Sequence, residues 1–182
     1  MTNMKFNLST NVIFSIAIIS CSACLSAESK WEKKTIEDKF TQKKTTYALI
    51  DSNETQPVGI TAQPVDAHLI IFKPNGKKNY PAKIRFSENS IPLVFMGGGG
   101  PECPAGPCVV QVKFDGGSIL EYEFYKVDYS KPQHEIFCCF EGGRNDFSAI
   151  ATRSKKIEIR VNFYQRGYGD FSFSPNSALN WD

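Results

Sequence analysis

Apolar and polar positions alternate with a period of two along much of the chain, and this pattern predicts short strands. Ile157, Ile159, Val161 and Phe163 are separated by Glu158, Arg160 and Asn162. Successive strand residues point to opposite faces, so this segment has an apolar inner face and a polar outer one. Ile84 and Phe86 alternate with Lys83 and Arg85 in the same way. So do Val110, Val112 and Phe114 with Gln111 and Lys113, and Leu120, Tyr122 and Phe124 with Glu121 and Glu123. Strands are also expected over residues 45–51, 67–73 and 134–140, the last apolar on both faces from Ile136 onward and therefore interior. Residues 29–36, with Trp31 among charges, pair with 45–51 as a first hairpin. Phe171 and Phe173 lie in a closing strand.

Glycine, proline and asparagine punctuate these segments. Asn75-Gly76 and Asp115-Gly116-Gly117 supply the positive φ angles of tight reversals. Residues 52–64 contain Asn53, Pro57, Gly59 and Pro64 and read as mostly loop. One helix is expected, over 145–155, where Phe147, Ile150 and Ala151 form a narrow stripe. Asn145 or Asp146 is placed to cap it, and Arg153, Lys155 and Lys156 suit its end. The fold class is all-β and mainly antiparallel, a β-sandwich or partly open barrel with one short helix.

The N-terminal segment stands outside this fold. Lys5, the apolar run from Val12 to Ser20 and the small residues ending Leu25-Ser26-Ala27 make a secretory signal peptide over 1–27, with a single β-rich domain over 28–182. The apolar run is short for a membrane span. Ile18-Ile19-Ser20-Cys21 also fits a bacterial lipobox, in which Cys21 is lipidated. Cleavage after Ala27 leaves four of the six cysteines, an even number, which favours soluble export to the periplasm or beyond over lipid anchoring in the envelope. The chain carries a formal net charge of +2. No basic excess is present to hold a phosphate backbone, so nucleic acid is not an expected partner.

In an exported chain, cysteines default to disulfides. Cys103 and Cys108 are separated by Pro-Ala-Gly-Pro, and a cross-link between them is expected to shape a stiff loop feeding a central strand that begins at Val109. Cys138 and Cys139 are adjacent and point to opposite faces of a strand, so a second pair is left open among bonded neighbours, buried thiols and a link to the 103–108 loop. Zinc would need Cys138, Cys139 and His134 beside Cys103 and Cys108, without the usual Cys-x-x-Cys spacing, and no metal or cofactor is expected.

Catalytic signals are weak. His68 and His134 are the two histidines, and neither a Gly-x-Ser-x-Gly elbow nor His-Glu-x-x-His is present. Glu121 and Glu123 mimic a carboxylate pair but lie on an outward strand face. Gly97 to Gly100 lacks the Lys-Ser/Thr of a phosphate cradle. Tyr164, Tyr168 and Trp181 lie near turns and the C-terminus and offer a recognition surface. Asn53-Glu54-Thr55 is a glycosylation sequon that a bacterial chain would carry by chance.

Cys103-x4-Cys108, Val112-x-Phe114-Asp115 and Phe163-Tyr164-Gln165-x-Gly167 followed by Phe171-x-Phe173 resemble a pattern found in a group of small exported bacterial β-proteins, some of them phage-associated. The resemblance runs from Trp31 to Trp181 and implies export and a β fold. It brings no activity and no site residues. The expected function is therefore that of an exported, non-enzymatic envelope protein that binds another protein or an envelope component. The alternatives are a periplasmic hydrolase acting on envelope polymer and a small apolar-ligand binder.

Overall fold

The computed structural model describes residues 29–58, 63–73, 82–87, 107–125, 135–138, 146–163 and 167–182. Its strands are β1 (Glu32–Glu37), β2 (Lys44–Asp51), β3 (Gln56–Val58), β4 (Gln63–Val65), β5 (Ala67–Phe72), β6 (Ala82–Phe86), β7 (Cys108–Phe114), β8 (Leu120–Tyr125), β9 (Glu135–Cys138), β10 (Ile157–Phe163) and β11 (Gly167–Phe173). Among the described residues a single short helix, α1 (Phe147–Ala151), precedes β10. Nine strands form one antiparallel sheet in the order β1-β2-β5-β6-β9-β8-β7-β10-β11, and β3 pairs with β4 in a separate hairpin.

The alternating segments become strands because each buries one face in a shared core. Ile84 and Phe86 on β6, Val110 and Val112 on β7, Tyr122 and Phe124 on β8, and Ile157 to Phe163 on β10 all turn their apolar members inward. Phe114, at the end of β7, is half-buried against the same core. The sheet curls onto itself. Phe86 on β6 meets Phe163 on β10 edge-to-face with centroids 5.1 Å apart, and Phe171 on β11 at 5.3 Å. Strands four and five places apart in the sheet order can touch in this way only if the sheet folds over.

The curl stops short of a closed barrel. Its two ends are joined at points, not by a ladder. Ser29 bridges Pro175 in parallel, with Ser29 N donating to the Ser174 carbonyl at 3.0 Å and Asn176 N to the Ser29 carbonyl at 3.0 Å. Asn53, just past β2, reaches β11 with backbone and side chain alike. Its backbone N–H donates to Ser172 O at 2.7 Å. Its Nδ2 donates to Ser174 Oγ at 2.7 Å, and its Oδ1 accepts the Ser174 N–H at 3.1 Å. The sequon asparagine is thus a structural clasp, its amide nitrogen already committed to β11.

Other features differ from the sequence expectation. The proline-containing loop after β2 includes the β3–β4 pair, in which Pro57 faces Pro64. Proline lacks an N–H, but an isolated two-stranded hairpin tolerates it where no ladder bond is required. The central strand is β9, flanked by β6 and β8, whereas β7 lies third from the β11 edge. The helix spans five residues, and Asp146 at its N-cap makes no side-chain capping bond. Its carboxylate instead accepts the Tyr122 hydroxyl at 3.0 Å. No basic residue lies in its last turn. What holds this short helix is Phe147, fully buried and 5.2, 5.5 and 5.8 Å from the rings of Tyr122, Phe124 and Phe114.

The Asp115-Gly116 reversal joins β7 to β8 with φ of 51° and 74°, both in the left-handed region that a tight hairpin turn requires. Asp115 Oδ1 also accepts the N–H groups of Lys155 and Lys156 at 2.7 and 2.8 Å, so this turn fixes the entry to β10. The polyglycine run and the Asn75-Gly76 turn lie outside the described residues.

These packing relations have measurable consequences. Phe147→Ala should cost about 3–5 kcal/mol by emptying the ring cluster, and Asn53→Ala about 2 kcal/mol by orphaning groups along β11. Urea unfolding followed by fluorescence and circular dichroism measures both. An Asn53→Ala midpoint equal to that of the wild type would show that the edges need no clasp.

Candidate functional site

The outward face of β1, β2, β5 and β6 carries a groove of about 370 Å³. Strand register builds it in three rows. Asp51, His68, Arg85 and Glu135 stand side by side across β2, β5, β6 and β9. Glu32, Leu49, Ile70 and Lys83 form the next row, and Lys34, Tyr47 and Phe72 the third. The middle of the face is apolar. Tyr47 and Phe72 lie with ring centroids 6.0 Å apart, beside Leu49 and Ile70. Ile70 is only 4% exposed although its neighbours Leu69 and Ile71 take the inward side of β5.

Charges rim this floor, and they are paired among themselves. Glu135 accepts Lys83 Nζ at 3.0 and 3.1 Å and Arg85 Nε at 2.5 Å. Burial alone would raise the Glu135 pKa, but the hydrogen bonds from Lys83 and Arg85 outweigh it and hold the carboxyl below its ordinary value. Lys83 also stands 5.9 Å from the Phe72 centroid, a cation over an aromatic face. His68 Nδ1 lies 2.6 Å from Asp51 Oδ1. Lys34 pairs with Glu32 at 2.9 Å, a contact that raises the lysine pKa.

A second groove, of about 250 Å³, opens on the outward face of β7, β10 and β11. Gln111, Lys113, Glu158, Arg160 and Asp170 line it together with Ile119, which is exposed. Arg160 grips Asp170 through both carboxylate oxygens at 2.6 and 2.7 Å. That bidentate pair lowers the Asp170 pKa and raises that of Arg160. Its lining lacks the adjoining aromatic pair of the first groove.

The residues singled out in the sequence scatter over this scaffold. His68 lines the first groove with Asp51 as its partner, whereas His134 lies outside the described residues. No Ser, Thr or Cys lines that groove among the described residues. Glu121 and Glu123 are exposed on β8 in neither groove. Glu121 accepts Gln111 Nε2 at 3.4 Å and Glu123 accepts the Tyr125 hydroxyl at 2.8 Å. Tyr168 is 67% exposed near the start of β11, with Arg160 Cζ 5.7 Å from its ring. Trp181 lies beyond the opposite end of that strand, partly buried against the core, its carbonyl accepting Lys73 Nζ at 3.2 Å. Five strand residues and the C-terminal tail lie between the two along the chain. Tyr164 and Cys21 lie outside the described residues.

Cys108 and Cys138 are both disulfide-bonded and both point inward. They flank Phe124, Cys108 on β7 and Cys138 on β9. Two strand spacings amount to roughly 9.5 Å, beyond the about 7 Å that a disulfide spans between Cα atoms. The two are therefore not bonded to each other. Cys103 and Cys139 lie outside the described residues.

Among the described residues, no group of three or more His, Cys, Asp or Glu side chains is arranged to hold a metal ion, and no helix is long and apolar enough to cross a membrane. The class that the geometry defines is a curled antiparallel β-sheet module with a groove on its outer face. No family model, curated protein or solved structure matches the chain.

The apolar floor was missed in the sequence because Tyr47, Leu49, Ile70 and Phe72 read only as strand residues. One signal was available. Leu69-Ile70-Ile71-Phe72 is apolar on both faces of β5, so its outer face needed shelter too.

Replacing Glu135 by Gln should lower stability by about 1 kcal/mol at neutral pH, discounted for partial exposure. Because the folded pKa lies below the ordinary 4.5, this contribution is present above that value and is lost as pH falls through the folded one. Melting curves of both proteins between neutral and strongly acid pH should therefore converge on the acid side. A gap that persists there would refute the ion-pair account.

Proposed function

We propose that this chain is an exported, non-enzymatic envelope protein whose groove on β1, β2, β5 and β6 receives an apolar segment of a protein partner. The observation that carries this reading is the aromatic and aliphatic floor of Tyr47, Leu49, Ile70 and Phe72 on the solvent side of a sheet. Protein interfaces combine an apolar centre with a polar rim, and aromatic anchors in such centres contribute most of the binding energy. The rim matters as much as the floor. Glu135 and Glu32 already have cationic partners and Asp51 a hydrogen bond with His68, so covering the rim leaves none of these carboxylates without a partner.

The hydrolase reading has one point in its favour, the His68–Asp51 pair at the edge of the same groove. Among the described residues no Ser, Thr or Cys lines the groove beside that pair, the neighbouring Ser52 hydroxyl being engaged with Glu54 O and Ala67 N, and the binding reading accounts for more of the lining. The small-ligand reading requires an interior cavity. The close ring contacts of Phe86, Phe163 and Phe171 inside the curl support a filled core instead.

Export is proposed from residues 1–27, with release after Ala27 and lipidation at Cys21 as the alternative. In the released chain, the separation of Cys108 from Cys138 leaves two of the three connectivities. We propose Cys103–Cys108 with Cys138–Cys139. Peptide mapping of the secreted protein under non-reducing conditions should recover a fragment joining residues 103 and 108. A fragment joining 108 to 139 would replace this assignment.

A photo-cross-linking residue at position 49 should capture a discrete protein in the envelope, and Tyr47→Ala should abolish that product. The same residue at Gln111, on the other groove, should not yield it. With the captured protein purified, Leu49→Lys should weaken binding about tenfold or more. Equal affinity, or the same product from position 111, would dismiss the groove as the contact site.

A further inference from the structure

The β1–β2 hairpin stands away from the core. Every residue of 32–45 is exposed, including both faces of β1, whereas β2 enters the interior only from Ala48 onward. Isolated two-stranded ribbons are marginal in water, yet this one is tightly held. Thr35 and Thr46 hydroxyls meet across the strands at 3.0 Å, and Glu37 faces Lys44 at 3.5 Å. At the tip, Asp38 Oδ1 accepts the N–H groups of Phe40 and Thr41 at 2.8 and 2.9 Å. The Asp38 backbone bonds Lys43 and Gln42 at 3.0 and 2.7 Å, and Gln42 takes a φ of 57°.

This stiff turn presents Phe40 at 97% exposure, the most exposed large apolar side chain among the described residues. Nothing in the turn's own hydrogen bonding requires a ring there. Lys39 and Lys43 flank it, and neither has an ion pair among the described residues. The one anion at the tip, Asp38, directs its carboxylate at the turn's own N–H groups, which hold its pKa low.

We infer that the β1–β2 arm is a membrane-contact finger, in which Phe40 enters the headgroup boundary of an anionic lipid surface while Lys39 and Lys43 meet its phosphates. Phenylalanine favours that boundary on an amphipathic element, and long lysine stems let the ammonium groups stay at phosphate level while the ring goes deeper. Anionic leaflets attract such lysines within a Debye length. A single apolar point with two cations beside it suits a fluid surface, which needs no shape-matched pocket. One ring and two ammonium groups bind reversibly and weakly. Stable residence takes a second anchor, which lipidation at Cys21 would supply. The arm tip is distinct from the groove floor, so each surface can fail its test without the other.

The test uses the processed chain and vesicles of phosphatidylglycerol mixed with phosphatidylethanolamine, compared with pure phosphatidylcholine. Co-sedimentation should occur with the anionic vesicles and decline as salt rises. Phe40→Ala should reduce the partition coefficient about tenfold, as should the Lys39→Glu, Lys43→Glu pair. Phe40→Trp should retain binding and shift its emission to the blue on adding anionic vesicles, after subtraction of the parent protein's signal. Circular dichroism checks that the variants fold. Absence of sedimentation with anionic vesicles, binding insensitive to Phe40→Ala, or an unshifted emission spectrum of the Phe40→Trp variant would overturn the proposal. So would Phe40-dependent self-association or protein capture without lipid binding.

Discussion

A nine-stranded antiparallel sheet has two raw edges, and the way this chain disposes of them determines much of the rest. An unpaired row of N–H and C=O groups must find water, a partner or a cover. Here the sheet curls until its ends meet, and the join is made by a few residues. Asn53 fastens the end of β2 to β11, and Ser29 and Asn176 fasten the segment before β1 to the C-terminal tail. Point contacts close the core while leaving the body of β1 outside it. That is why the β1–β2 arm can project with both faces wet.

Curling has a second effect. A sheet that wraps a core filled by Phe86, Phe163, Phe171 and the Phe147 cluster leaves outer faces where neighbouring side chains stand close. Over β1, β2, β5 and β6 the register gathers Tyr47, Leu49 and Phe72 around Ile70. Over β7, β10 and β11 the same geometry brings Arg160 and Asp170 together as a bidentate pair beside Gln111, Lys113 and Ile119. The first face thus sets an aromatic pair beside Leu49 and Ile70, whereas the second carries the bidentate Arg160–Asp170 pair.

Ionic contacts on the first face act to neutralise more than to stabilise. Exposed pairs contribute little to folding, and Glu32–Lys34 belongs to that class. Glu135 is different, because Lys83 beside it is largely covered and both Lys83 and Arg85 converge on one carboxylate. The cluster satisfies its carboxylate, and its second cation leaves it with a net positive charge.

The strand content was legible in the residues themselves. Period-two alternation at 84–86, 110–114, 120–124 and 157–163 could satisfy only a half-buried sheet, and the Asp115-Gly116 turn required left-handed backbone that those residue types adopt. Export stays an expectation drawn from residues 1–27, which lie outside the described residues. What local pattern could not carry was anything requiring two distant segments at once. It could not show that Asn53 would reach Ser172 and Ser174, that Cys108 and Cys138 would stand either side of Phe124, or that Trp181 would pack against the core with its carbonyl on Lys73. Nor could it align Asp51 with His68 or Tyr47 with Phe72. Alternation tells which way a side chain points, but strand order and register decide whom it meets, and those are fixed by how the whole sheet closes over its core.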